Sequence, residues 1–261
     1  MAKINLDKYY TPKELAKSCI DKTFEVIGKE NITDIIEPSA GNGSFSLQMD
    51  CTAYDIEPEH ESIIKQDFLK LDLPYKKGRL IIGNPPFGTR NTLSVKFYKK
   101  SYSLGDYIAF ILPVSQYKNN RQMYQFDLIH SEIITSMYSG RKLKTSFNIY
   151  RRPVILNKNP IDYTLKDVFV GEYRRNGSYK IPIHFDFAMC GWGTSLGKEV
   201  FNIGTFAQEN YIIITNDKLK TKIIWIMKNT DWLNLYPVIS SPKIQTWKIY
   251  KYLKEQIPEL N

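Results

Sequence analysis

Residues 79–88 read RLIIGNPPFG, an apolar run that ends in an amide, two prolines and an aromatic ring. The first half has the length and composition of a strand buried on both faces. The second half cannot continue it, because tandem prolines fix φ and remove two backbone donors, so the ladder stops and no helix begins. Asn-Pro and Pro-Pro also serve as plain strand punctuation, so the neighbouring runs must decide.

Working outward, TDIIEP (33–38), TAYDIE (52–57), YIAFILP (107–113) and EIITSMY (132–138) are further short apolar runs bounded by Asp, Pro or polar residues. Polar, helix-compatible segments separate them. This alternation predicts an α/β fold: a doubly wound, Rossmann-like, mostly parallel sheet with crossover helices. Ahead of it, TPKELAKSCIDKTFEVIG (11–28) predicts an amphipathic helix with Thr11 as N-cap, Pro12 at the first helical position and Glu14 closing a capping box. After about residue 158 the texture changes to short β-like stretches broken by NKNP, YRRNGSYK and CGWGTSLGK, with a helical tail around Ile244, Trp247, Tyr250 and Leu253. The expected division is a larger domain over 1–158 and a small carboxy-terminal region over 159–261.

The chain has 261 residues, 43% hydrophobic, and a formal charge of +9, which favours a polyanionic partner. Cys19, Cys51 and Cys190, like His60, His130 and His184, lie far apart without metal-ligand spacing, so no metal site or disulfide framework is expected. No run approaches the roughly 20 apolar residues of a membrane span. The expectation is a soluble cytoplasmic protein.

In a doubly wound sheet, ligands sit beyond the carboxyl ends of the strands, where strand order reverses. The unusual residues stand there. EPSAGNGSF (37–45) offers Gly41 and Gly43 for a tight turn and close backbone approach, followed by an expected helix N-terminus. It lacks the third glycine of a dinucleotide fingerprint and the Lys-Ser/Thr ending of a P-loop. With Glu37 at the strand end, it suits a zwitterionic or cationic ligand better than a pyrophosphate. Asp55 can accept from a ribose and Ile56 can cover a base face; Asp55 as a cap or turn residue is the alternative.

These segments together resemble the S-adenosylmethionine-dependent adenine-N6 methyltransferases of nucleic acid. YYTPKELA is similar to their amino-terminal cofactor motif, EPSAGNGSF to their glycine loop, AYDIEP to their ribose-binding strand end, QDFL to their adenine-contacting pair and NPPFG to their catalytic motif. The motif resemblance covers residues 9–90, and the general organisation extends to about 158, so 1–158 is the expected S-adenosylmethionine-binding catalytic domain and 159–261 the expected target-recognition region. It implies that Asn84 and the Pro85 carbonyl accept the target amine's N–H groups while Pro86 stiffens the loop and Phe87 stacks on a flipped base. It also implies that Tyr10, Thr11 and Pro12 close over the methionine end of the cofactor, near Glu37, Pro38 and Ala40. Asp67 would bind the cofactor's adenine amine and Phe68 pack on its ring, with core packing the alternative for Phe68 and a surface ring for Tyr10.

DNA is the expected partner in preference to RNA, and the family also supplies restriction–modification systems. NPPFGTRN resembles the loop of ribosomal-RNA adenine enzymes as well. Cytosine-N4 or protein-glutamine methylation and a catalytically silent partner subunit are more distant alternatives. Phe147 is the candidate second wall for the flipped base, or else core. Arg151, Arg152, Arg174 and Arg175 are candidate phosphate contacts, and Trp192 is a candidate stacking or wedging residue, or else buried.

Overall fold

The structure, a computed structural model, describes residues 10–138, 141–177, 182–235 and 242–260. The chain divides into two compact units, Met1–Ile161 and Asp162–Asn261.

Unit 1 is built on a seven-stranded sheet of β1 (Asp34–Glu37), β2 (Thr52–Asp55), β3 (Ile64–Lys65), β4 (Arg79–Gly83), β5 (Tyr107–Pro113), β6 (Asp127–Tyr138) and β7 (Arg141–Arg151). Its order is β3-β2-β1-β4-β5-β7-β6. The first five strands are parallel; β7 runs antiparallel to β5 and to β6. The chain winds outward from β1 in one direction and from β4 in the other, so the switch point lies between these two strands.

Strand alternation sorts the core into two layers. Leu80, Ile82, Ala109, Ile111, Phe147 and Ile149 pack with Ala16, Cys19 and Ile20 of α1 (Lys13–Ile27). Ile81, Ile108, Phe110, Leu112 and Tyr150 pack with Phe97, Tyr98 and Leu104 of α2 (Thr92–Leu104). A helix on each face is what residues alternating over two buried faces demand. The doubly wound α/β expectation therefore holds, with three local corrections.

Thr11 is not the N-cap of α1. Pro12 occupies that position and its carbonyl accepts from Ala16 N at 2.9 Å, while the Thr11 side chain is engaged elsewhere. The glycine loop does not lead into an α-helix: only a 3₁₀ turn, Ser46–Gln48, lies between β1 and β2. Finally, Phe147, the candidate second wall for a flipped base, is part of β7, where it stands opposite Ile111 of β5.

Unit 2 has its own antiparallel sheet, β8 (Val168–Arg174), β9 (Phe187–Cys190) and β10 (Gln208–Ile214), in the order β8-β10-β9. Helices α3 (Asp217–Asn229), α4 (Trp232–Leu235) and α5 (Thr246–Gln256) close a separate core of Met189, Ile212, Ile223, Met227, Trp232 and Leu253. The tail's helical spacing is realised in α5, with Ile249, Tyr250 and Leu253 buried. Among the described residues there is no cluster of three metal-ligating side chains and no helix long and apolar enough to cross a membrane.

Candidate active site

Beyond the carboxyl ends of β1, β2, β3 and β4, unit 1 holds a cavity of 290 Å³. Fourteen expected site residues line it: Tyr10, Thr11, Glu37, Pro38, Ala40, Gly41, Asp55, Ile56, Asp67, Phe68, Asn84, Pro85, Pro86 and Phe87. Pro12 and Gly43 do not; one caps α1, and the other shapes a turn at φ +83, donating its N–H to the Ala40 carbonyl at 2.8 Å.

Each strand exit is fixed by its own polar groups. Glu37 is 1% exposed and accepts from Ser46 N at 2.8 Å. Burial pushes its carboxyl up to about 7, with nearby Asp55 adding to the shift and the Ser46 hydrogen bond opposing it. Asp55 accepts from Gly41 N at 2.7 Å and from Glu57 N at 2.8 Å, which ties the glycine loop to the end of β2. An ionised carboxylate has about four acceptor sites, so both bonds leave capacity for a ligand. The Asp55 alternatives thus merge: it orders the loop and lines the cavity. Asp67 caps the short 3₁₀ turn Phe68–Lys70 by accepting from Leu69 N at 3.0 Å. Phe68 is buried and stacks on Phe97 at 5.4 Å between centroids, so it serves the core and the cavity wall together. Tyr10 is 37% exposed and donates to Glu59 at 2.5 Å.

The Asn-Pro-Pro-Phe loop is held by its carbonyls. The Asn84 carbonyl accepts from Ser39 Oγ at 3.2 Å, that of Pro86 from Ser94 Oγ at 3.3 Å and that of Phe87 from Leu93 N at 3.2 Å. Among the described residues no donor reaches the Pro85 carbonyl. The Asn84 side-chain N–H donates to Thr11 Oγ1 at 3.1 Å, which orients the amide oxygen away from Thr11. Gly88 turns the chain at φ +66, where a Cβ would lie 2.8 Å from Leu93 Cγ.

Sequence reasoning did not assign Ser39, Asn42, Ser44, Phe45, Gln66, Leu69, Leu93 and Phe97, which also line the cavity. Leu93 and Phe97 sit four apart on α2, a spacing visible in the sequence directly after the proline loop; Gln66 merely precedes Asp67 and carries no signal of its own.

The expected nucleic-acid residues divide. Phe147 is 0% exposed within the α1 layer, so it cannot wall a base; strand alternation turns its ring inward. Arg152 is likewise a correction. It pairs with Asp106 at 3.0 Å, donates to the Tyr102 and Gly105 carbonyls, and lies 4.9 Å over both Tyr75 and Phe126, which makes it a clamp within unit 1. Arg151 is exposed at the end of β7. In unit 2, Arg174, Arg175 and Trp192 line a second cavity together, and Trp192 is exposed rather than buried. Residues 178–180 of YRRNGSYK lie outside the described residues.

No protein-family model matches the chain, and no curated protein does. Among solved structures, it is similar to a candidate RNA methyltransferase from Pyrococcus horikoshii, at 14% identity over 59% of this chain and 91% of that one, with a TM-score of 0.48. It is similar to a candidate class I S-adenosylmethionine-dependent methyltransferase from Listeria monocytogenes, at 15% identity over 62% and 66% of the two chains, TM-score 0.43. A third likeness is to the 23S rRNA methyltransferase ErmE, at 14% identity over 57% and 71%, TM-score 0.39.

Proposed function

We propose that this chain is an S-adenosylmethionine-dependent methyltransferase that methylates the N6 amine of adenine in nucleic acid, with DNA as the preferred substrate. The observation that carries this reading is the pairing, in one cavity, of Asn84 with a Pro85 carbonyl that no described protein donor reaches, while the carbonyls of Asn84, Pro86 and Phe87 are all taken. An acceptor left open on a proline-stiffened loop suits a substrate N–H.

The donor set fits the cofactor. A buried carboxyl held up to about 7 calls for a cationic partner, which the methionine ammonium provides near Glu37. Asp55 and Asp67 would take the ribose hydroxyls and the adenine amine, with Ile56 and Phe68 against the ring. When bound, S-adenosylmethionine supplies an electrophilic sulfonium methyl group.

Everything else falls to the chain. An adenine amine is a weak nucleophile because its lone pair is delocalised into the ring. Asn84 Oδ1 and Pro85 O would each accept one of its N–H bonds, drawing the nitrogen toward tetrahedral geometry and leaving the lone pair directed at the methyl carbon. Positioning and fixed dipoles supply the rate. A base in a duplex must be flipped out to reach the cavity, where Phe87 would stack on it. Unit 2 is assigned the selection of the target adenine. The second reading, an RNA adenine methyltransferase, rests on NPPFGTRN. The test incubates purified protein and labelled cofactor with matched duplex DNA, single-stranded DNA and RNA, then identifies modified nucleosides by mass spectrometry. N6-methyladenine is the expected product; label on another nucleoside, or none, overturns the reading.

A further inference from the structure

Unit 2 carries a cavity of 680 Å³ lined by Arg174, Arg175, Trp192, Gln208 and Lys243 with the adjoining turn. It lies at one end of the three-stranded sheet, where Gln208 begins β10 opposite Arg174, the last residue of β8. Trp192 follows β9 and bridges to Lys243. Gly193 N donates to the Pro242 carbonyl at 2.7 Å and Ile244 N to the Gly191 carbonyl at 3.1 Å, so Trp192 and Lys243 share one frame.

Three features of this cavity ask for a ligand. Its three cations outweigh the carboxylates near them among the described residues: Glu172 meets both Arg174, at 2.5 Å, and Lys243, at 3.6 Å, while Glu209 is turned to the Gly204 and Phe206 amides. Arg175 is fixed by donating to the Gly204 and Thr205 carbonyls at 3.1 and 3.2 Å. The Gln208 side-chain N–H group is buried and meets no acceptor among the described residues, although buried donors are ordinarily paired. Trp192 leaves 47% of its surface in water, and beside it a Cβ placed on Gly193 would meet nothing within 4 Å.

We infer that this cavity binds an unpaired nucleotide of the substrate strand, distinct from the adenine that is methylated. A phosphate answers the cations, a phosphate or base carbonyl oxygen answers Gln208, and a base face answers the indole. Within a duplex each base face is covered by its neighbours, so stacking on Trp192 requires a nucleotide out of the helical stack. The inference rests on nucleic acid being the substrate, and it narrows the substrate class to single-stranded or looped segments of DNA or RNA.

The test measures binding of end-labelled ten-nucleotide single strands of DNA and of RNA, and of a matched DNA duplex, to the full chain by fluorescence anisotropy. Either single strand is expected to bind more tightly than the duplex. Trp192→Ala should weaken that binding by roughly tenfold or more, and Trp192→Phe should restore most of it. Arg175→Ala should flatten its salt dependence. Unchanged affinity in Trp192→Ala overturns the inference. So does displacement of the strand by inorganic phosphate to the same extent in the wild type and in Trp192→Ala, which would mark an anion site alone. Methylation is scored separately: strand binding that depends on Trp192 without any N6-methyladenine leaves this site standing and removes the proposed reaction, and the converse removes this site alone.

Discussion

Asn84 can present its amide oxygen to a substrate only if the amide does not flip, and Thr11 Oγ1, accepting from its N–H at 3.1 Å, holds it. Asn84→Ala should cut the single-turnover rate by roughly a thousandfold or more while cofactor affinity stays near wild type, because only a contact to the reacting amine is lost. On the proposed reading, Thr11 would act through Asn84 as a positioning residue. Thr11→Val, which keeps the shape and removes the acceptor, should lower that rate, and Thr11→Ser should restore it. A merely structural threonine would not separate the two. Glu37 gives a pH signature. Its folded carboxyl sits at about 7, raised by burial above an ordinary 4.5, so near pH 6 the ligand-free protein carries this group mostly protonated. A cofactor ammonium beside it favours the carboxylate, so binding should release a proton and tighten as pH rises from about 5 to 7. Calorimetry in buffers of different ionisation enthalpy reads the release, and Glu37→Gln should abolish it. Glu37 and Asn84 were legible in the sequence because each stands where an apolar run is cut off, and Thr11 because it opens the first helical pattern. Phe147 and Arg152 were not, since residues 145–150 are buried on both faces of β7 and Arg152 is held by the partners it meets just beyond the strand, neither of which the local sequence displays.

At the level of elements, β7 shows what was hidden. Lys142 and Lys144 are exposed near the start of the strand, while 145–150 are buried on both faces, so the basic stretch in the sequence runs into the core. Its last neighbour, Arg152, then ties the start of β5 to the end of α2 through Asp106 and the Tyr102 and Gly105 carbonyls. Arg152→Ala should destabilise unit 1 by about 2 kcal/mol, seen as a lower melting temperature, and leave the salt dependence of nucleic-acid binding unchanged. A phosphate-contacting arginine would show the reverse. The missing helix after the glycine loop has a plain cause. The segment between β1 and β2 spends its residues on the Gly41 and Gly43 turns and on burying Phe45, and what is left makes only a 3₁₀ turn. The loop from β4 to α2 is equally constrained. Gly88→Ala would place a side chain at φ +66 against Leu93, so it should cost about 1 kcal/mol or more of stability and reduce turnover by shifting Phe87.

At the scale of the whole chain, the two units keep separate cores: the residues that bury Ile212 and Trp232 all follow Asp162, and those that bury Ile81 and Phe147 all precede it. A chain ended after residue 161 should therefore unfold cooperatively and retain cofactor binding, while losing the preference for particular adenines. Heat-capacity scans and sequencing of methylated positions check the two halves of that statement. Unit 1 was readable because its motifs coincide with strand ends; unit 2, an antiparallel sheet with helices, gave only short β-like stretches, turn residues and one helical period. The separation of cores also bears on synthesis. The sheet of unit 1 is complete at Arg151, whereas the core of unit 2 needs Ile257 and Leu260. On the ribosome the first unit can thus close while the second is still emerging, so on the proposed reading the nascent protein would hold a methyl donor site before it had any means of choosing where to use it.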